Sequence, residues 1–110
     1  MEIEEIKSVY FVGAGGIGMS ALIRYFLSQG KIVAGYDRTP TPLTARLIEE
    51  GAKIHYEDDV NQIPACCKQP GSTLIVYTPA IPDDHAELTY FRERNFCIQK
   101  RAQVLGIITR

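Results

Sequence analysis

Ser8-Val9-Tyr10-Phe11-Val12-Gly13-Ala14-Gly15-Gly16-Ile17-Gly18-Met19-Ser20 is the stretch whose reading decides the fold. Its first five residues form a nearly continuous apolar run rich in β-formers. A central parallel strand reads this way when both of its faces are covered. Gly13 ends the run. Beyond the glycines, Met19, Leu22, Ile23, Phe26 and Leu27 recur at i, i+3, i+4, i+7 and i+8, one apolar stripe along a helix. Gly30 is placed to stop that helix.

The same alternation continues outward. Ile32-Val33-Ala34-Gly35-Tyr36 reads as a second strand ending at Asp37. Thr41-Pro42 reads as an N-cap followed by proline at the first helical position, opening a helix that turns Leu43, Leu47 and Ile48 inward and stops at Gly51. Ala52 to Tyr56 is a third, weaker strand, and the polar stretch from Glu57 to Ser72 is expected to be a long loop. Leu74-Ile75-Val76-Tyr77 is a fourth strand. Pro82 and Asp83 are expected to open a helix whose positive end suits the acids at 83, 84 and 87, and whose negative end suits Arg92 and Arg94. Phe96-Cys97-Ile98 is a fifth strand, and a final helix carries Val104, Leu105 and Ile108.

Strands that alternate with helices imply a parallel sheet covered on both faces. Right-handed crossovers then favour the order 3-2-1-4-5. The expected fold is a Rossmann-like three-layer α/β/α domain with a five-stranded parallel sheet, spanning residues 1–110 as one unit. Ligands of such sheets sit at the carboxyl ends of the strands where the order reverses. That point lies between strands 1 and 4, so the glycine loop and Thr78-Pro79-Ala80 should face each other across a crevice.

Composition sets the boundaries. The chain has 110 residues, 45% hydrophobic and 23% charged, with net charge -1, values normal for a soluble globular domain. No basic excess points to nucleic acid or an anionic membrane surface. No apolar run approaches the roughly 20 residues of a membrane span. The acidic start Met1-Glu2-Ile3-Glu4-Glu5 lacks the basic opening of a signal peptide, so a cytoplasmic location is expected. Cys66, Cys67 and Cys97 show no metal-ligand spacing and are expected to be reduced thiols, with no metal site.

Gly13-Ala14-Gly15-Gly16-Ile17-Gly18 matches Gly-x-Gly-x-x-Gly, a pattern that by itself also occurs in ordinary turns. Context strengthens it. A strand precedes it, a helix follows, and Asp37 stands at a strand end 19 residues after Gly18. Gly13 is expected to permit the tight turn, Gly15 to let a ligand approach the backbone, and Gly18 to let helix and strand pack closely. Free amides from Gly16 through Met19 would point at phosphates, where the helix dipole also favours an anion. Ser20 could add a hydroxyl donor. Asp37 could accept hydrogen bonds from a ribose diol or a base N–H. Arg38 could meet a phosphate, although Asp37 would repel the 2′-phosphate of NADP.

At these residues the sequence resembles the N-terminal signature of the Mur ligases. Phe11 through Ser20 carry the resemblance. Gly35-Tyr36-Asp37-Arg38, Glu50-Gly51-Ala52-Lys53-Ile54, Tyr77-Thr78-Pro79-Ala80-Ile81-Pro82 and Lys100-Arg101-Ala102-Gln103-Val104-Leu105 support it, in order and spacing along nearly the whole chain. The alanine-adding branch of the family matches best, and the tripeptide-recycling branch shares these motifs. The resemblance implies a domain that binds the UDP part of UDP-N-acetylmuramate. The loop residues Gly13, Gly15, Gly16, Ile17, Gly18, Met19 and Ser20 would hold the diphosphate. Asp37 with Arg38 would contact the uridine, and Thr78, Pro79 and Ala80 would line the opposite wall. In the family, ATP with Mg phosphorylates the lactyl carboxylate, and the amine of L-alanine attacks the acyl phosphate.

The chain lacks the family's Gly-x-Gly-Lys-[Ser/Thr]-type loop. It is therefore expected to be an N-terminal fragment without the central ATP-binding and C-terminal domains, holding no cofactor and no catalytic residue of its own. Glu57-Asp58 stands where many relatives carry Gly-His, and no contact is carried over from there. Two readings compete with the ligase domain: a nicotinamide-binding module of a dehydrogenase, and a regulatory nucleotide-sensing domain. The extended Gly-Gly-Ile-Gly-Met-Ser run and Thr-Pro-Ala-Ile-Pro favour the ligase.

Of the remaining features, His55 alternates with strand residues and is expected at a surface or loop edge, and His85 in the first turn of a helix. Lys100-Arg101 places positive charge at a helix start, against the dipole. The same spot lies on the binding edge of the sheet, where Arg101 could face a substrate anion or a following domain.

Overall fold

The computed structural model describes residues 3–16, 18–82 and 84–108. Five strands, β1 (Ser8–Val12), β2 (Ile32–Tyr36), β3 (Lys53–His55), β4 (Thr73–Tyr77) and β5 (Cys97–Lys100), form one sheet in the order β3-β2-β1-β4-β5. Every neighbouring pair is parallel. The expected architecture and strand order are therefore those observed, with β1 and β2 at their expected bounds and the ends of β3, β4 and β5 displaced by one or two residues.

β1 is central and buried along its whole length. Successive side chains of a strand point to opposite faces, so β1 serves two cores. Val9 and Phe11 join Val33, Leu74 and Val76 beneath α1 (Met19–Ser28), α2 (Pro42–Glu49) and α4 (Arg101–Ile108), which contribute Met19, Leu22, Ile23, Phe26, Leu47 and Val104. Tyr10 and Val12 join Ala34, Tyr36 and Ile75 on the other face, covered by Phe91 of α3 (Ala86–Glu93) and by Ile63 and Cys67.

The stretch from Glu57 to Ser72 is more than a polar loop. Two 3-10 turns, Val60–Gln62 and Ala65–Cys67, carry Ile63 and Cys67 into the second core. A sheet of this width needs cover beyond what the eight-residue α3 supplies, and these turns provide it. Cys66, Cys67 and Cys97 are all free thiols, the first two with sulfurs 4.0 Å apart.

The helices keep most of their expected limits. Thr41 caps α2 through a reciprocal pair with Thr44, and Pro42 takes the first helical position. Ile48, expected to turn inward, is 41% exposed, and Leu105 of the final helix is 38% exposed, while the side chain of Ile108 lies outside the described residues. Ile48 and Leu105 sit beside the apolar stripe, not on it, and the cores are closed by Leu47 and Val104. α3 starts at Ala86, later than the expected opening at Pro82. Its N-cap position is His85, and the distant Asp58 adds a carboxylate that accepts from the amides of Ala86 at 2.9 Å and Glu87 at 3.0 Å. Asp84 stays exposed, and Asp83 lies outside the described residues. Among the described residues, no helix is long and apolar enough to cross a membrane.

Candidate functional site

β1, β2 and β4 release the chain at the same edge of the sheet, as parallel strands in register must. Val12 is level with Tyr36 and Tyr77, so Gly13, Asp37 and Thr78 leave side by side. A cavity of about 630 Å³ opens there, within the roughly 300–1,000 Å³ usual for small-molecule sites. Gly13, Gly15 and Gly16 form one wall, and Thr78, Pro79, Ala80 and Ile81 the other. Asp37 and Arg38 stand at one end, and Arg101 reaches in from the start of α4. The expected crevice, with the glycine loop opposite Thr78-Pro79-Ala80, is present.

The loop's own bonding departs from the expectation of free amides. Gly16 N–H donates to the Gly13 carbonyl at 2.9 Å, and Met19 N–H to the Gly16 carbonyl at 3.1 Å. Gly13 and Ala14 both donate to the Tyr36 carbonyl at 2.8 Å, tying the turn to the end of β2. Gly15 N–H donates to Asp37 Oδ1 at 3.2 Å. These bonds arise because the turn folds back on itself before α1 begins, which lets its carbonyls reach its own amides. Two of the amides expected to face a phosphate are thus engaged within the protein. Ile17 lies outside the described residues.

Gly13, Gly15 and Gly18 each have a tertiary reason for lacking a side chain. At Gly13, with φ of 96°, a β-carbon would stand 2.3 Å from Thr78 Cγ2. At Gly15 it would meet Asp37 Oδ2 at 2.9 Å, so the space expected for a ligand is used by the carboxylate. At Gly18, with φ of 78°, it would stand 2.9 Å from both Cδ and Nη1 of Arg101. The close packing expected there between helix and strand is in fact packing against this side chain. Met19 is buried in the core and Ser20 is half-buried, and neither lines the cavity.

Asp37 is half-buried and links the site to the scaffold, accepting from Gly15 N–H and, at 3.5 Å, from Thr39 N–H. Arg38 is exposed at the mouth. It also borders a second hollow of about 420 Å³ lined by Tyr36, Asp58 and His85.

Behind this hollow lies a polar cluster that the sequence reading missed. Glu87 is fully buried. Its carboxylate accepts from the Tyr10 hydroxyl, from Asp59 N–H at 3.2 Å and from His55, whose Nε2 is 2.7 Å away. His55 is therefore held inside, with its ring 15% exposed, and not at a loop edge. Burial, and next the Glu87 charge, push the Tyr10 phenol far above its ordinary range. The available signal was Glu87's position four residues before Phe91, on the inward face of α3. His85 serves as the N-cap of α3, its Nδ1 3.5 Å from Leu88 N and 3.2 Å from Asp58 Oδ1.

Known proteins are similar to this chain in sequence and in fold. The UDP-N-acetylmuramate–L-alanine ligase of Phocaeicola vulgatus is 63% identical over 109 residues, covering 99% of this chain and 24% of that protein. The enzyme of the same name from Parabacteroides distasonis is 62% identical over 110 residues, covering all of this chain and 24% of that protein. The chain thus spans about a quarter of the length of these relatives. The crystal structure of the UDP-N-acetylmuramate–alanine ligase of Thermotoga maritima superposes with a TM-score of 0.77 at 31% identity, over 89% of this chain and 21% of that one. A UDP-N-acetylmuramate:L-alanyl-gamma-D-glutamyl-meso-diaminopimelate ligase from Neisseria meningitides shares the fold, with a TM-score of 0.70 at 17% identity over 86% of this chain and 28% of that one. The family profile described as Mur ligase family, catalytic domain, matches residues 8–110. With this match along almost its entire length, the chain belongs to the Mur ligase family.

Proposed function

We propose that the crevice between the glycine loop and Thr78-Pro79-Ala80 holds the UDP part of UDP-N-acetylmuramate. Residues 1–110 would act as the N-terminal domain of an ATP-dependent ligase that adds L-alanine in peptidoglycan synthesis. The observation that carries this reading is the cavity at the carboxyl ends of β1, β2 and β4, bounded by Gly13, Asp37 and Thr78. Open α/β sheets take their ligands in the crevice at this point, where the strand order reverses. The names of the relatives at 63% and 62% identity support the alanine-adding branch.

In this reading Asp37 accepts from the ribose hydroxyls with the carboxylate capacity left after its bonds to Gly15 and Thr39. Arg38 flanks the uridine at the mouth. Gly13, Gly15 and Gly16 face the diphosphate, with Ile17 and Gly18 leading into α1 beside it, while Met19 packs the helix start into the core, Ser20 stands off the cavity, and Thr78, Pro79 and Ala80 close the far wall. Because the Gly16 and Met19 amides are engaged, the loop contributes shape and close approach more than a row of donors. ATP and Mg would be held by the ligase beyond this domain, since residues 1–110 contain no Gly-Lys-[Ser/Thr] sequence. The domain itself would catalyse nothing.

Titration of the chain with UDP-N-acetylmuramate, UDP and NAD tests the reading. Both uridine ligands should bind more tightly than NAD. The reverse order would replace it with a nicotinamide-binding module.

A further inference from the structure

Arg101 is an unusual residue to begin a helix. A cation at a helix N-terminus opposes the dipole, and α4 has no acid in its first turn to offset it. The side chain reaches away from its own helix to lie across Gly18, the N-cap of α1. α1 likewise has no acid in its first turn and no side-chain cap. Among the described residues, no carboxylate forms an ion pair with Arg101. A half-buried guanidinium is thus held in the nucleotide crevice without a counter-charge.

Of the other polar groups in the crevice, Arg38 stands exposed at the mouth beside Asp37, away from Gly18, and the groups deeper in are largely committed. The amides of Gly16 and Met19 donate to loop carbonyls. Asp37, the one acid among the described lining residues, is turned toward the amides of Gly15 and Thr39. Thr78 offers one hydroxyl. A dianionic group seated between the two walls in front of Gly18 therefore meets Arg101, the half-buried guanidinium of the crevice, a planar fork suited to phosphoryl oxygens.

We propose that Arg101 is the diphosphate contact of this crevice, its guanidinium pairing with the phosphoryl oxygens in front of Gly18. The inference rests on the reading that the crevice takes a uridine diphosphate ligand. It assigns the anion contact to a side chain from the β5–α4 junction that packs against the end of the glycine loop. Gly18 is then required because the guanidinium occupies the space of a β-carbon.

The test is calorimetric titration of the unaltered chain, Arg101→Ala and Arg101→Lys with UDP, UMP and uridine, at low and high salt. Loss of a charge-assisted hydrogen bond corresponds to about tenfold or more in affinity. Arg101→Ala should lose that much for UDP, less for UMP and nothing for uridine. Its UDP binding should also be less sensitive to salt. Arg101→Lys should fall between, because it keeps the charge without the fork, and it serves alone should the alanine variant fail to melt cooperatively. Equal UDP affinity in all three proteins overturns the role of Arg101 and leaves the crevice reading standing. An equal loss for UDP and uridine also overturns it, by showing a structural effect. Failure of the unaltered chain to bind UDP removes the reading beneath it and this inference together.

Discussion

Thr78 occupies the space that a side chain on Gly13 would need: its Cγ2 lies 2.3 Å from an ideal β-carbon there. The contact joins the turns leaving β1 and β4 and sets the width of the crevice between them. Gly13→Ala should therefore destabilise the domain twice, through φ of 96° and through this overlap. Together these amount to about 2–4 kcal/mol in urea denaturation. Thr78→Ser removes the methyl, so the double variant should recover the steric share and keep the backbone share. Strict additivity of the two substitutions would show that the turns do not touch as described.

Asp37 combines a structural and a proposed recognition role that two substitutions can separate. Asp37→Asn keeps an acceptor for Gly15 N–H, so stability should change by no more than about 0.5 kcal/mol. Asp37→Ala leaves that amide unpaired and should cost about 1 kcal/mol. Both should weaken uridine binding if the carboxylate meets the ribose. Unchanged uridine affinity in both variants would confine Asp37 to holding the loop.

The start of α3 depends on a residue almost thirty positions away. Asp58→Ala should lower stability by about 1–2 kcal/mol, the usual loss of an N-cap, because Ala86 and Glu87 both donate to that carboxylate. Asp84→Ala, at an exposed position, should have almost no effect. The opposite ranking would assign the stabilising acid at this helix start to Asp84.

Glu87 gathers three donors inside the protein. Glu87→Ala leaves the Tyr10 hydroxyl and His55 Nε2 only each other, 3.1 Å apart, strips Asp59 N–H of its acceptor and opens a cavity, and should cost about 3 kcal/mol. Tyr10→Phe leaves the carboxylate two partners and should cost about 1 kcal/mol. Thermal denaturation of both variants measures the difference, and equal losses would mean that the cluster is not centred on Glu87.

Two buried acids make the fold sensitive to alkali. Burial, and next the neighbouring Cys66, push the Cys67 thiol from its ordinary 9.0 up to about 12. Tyr10 is raised in the same direction from 10.0. Both groups are neutral when protonated, and the folded chain holds their protons more tightly than the unfolded one. Their contribution is whole below the ordinary values and is lost as pH rises toward the folded ones. Stability should begin to fall above about pH 9, with on the order of 2–3 kcal/mol from Cys67 lost by about pH 11. Cys67→Ala should make the decline shallower, and an unchanged slope would assign it elsewhere.

Much of the crevice could be read from local pattern. The run from Ser8 to Val12, the stripe from Met19 to Leu27 and the Thr41-Pro42 start each report a choice made within one turn or one strand. Where the pattern misled, a distant partner had intervened. Asp58 moved the start of α3, Glu87 drew His55 inward, and Ile63 and Cys67 turned a polar stretch into cover for the sheet.

By itself, the sequence determined the five strands, their order and the edge at which a ligand would lie, because hydrophobic periodicity and right-handed crossover are properties of short segments. Only the tertiary structure decided what fills that edge. Hydrogen-bonding capacity is spent wherever the folded chain brings a partner within reach, so the Gly16 and Met19 amides are used inside the loop. Arg101, more than eighty residues from Gly18 in sequence, becomes its neighbour only when β5 and α4 close the sheet beside β4.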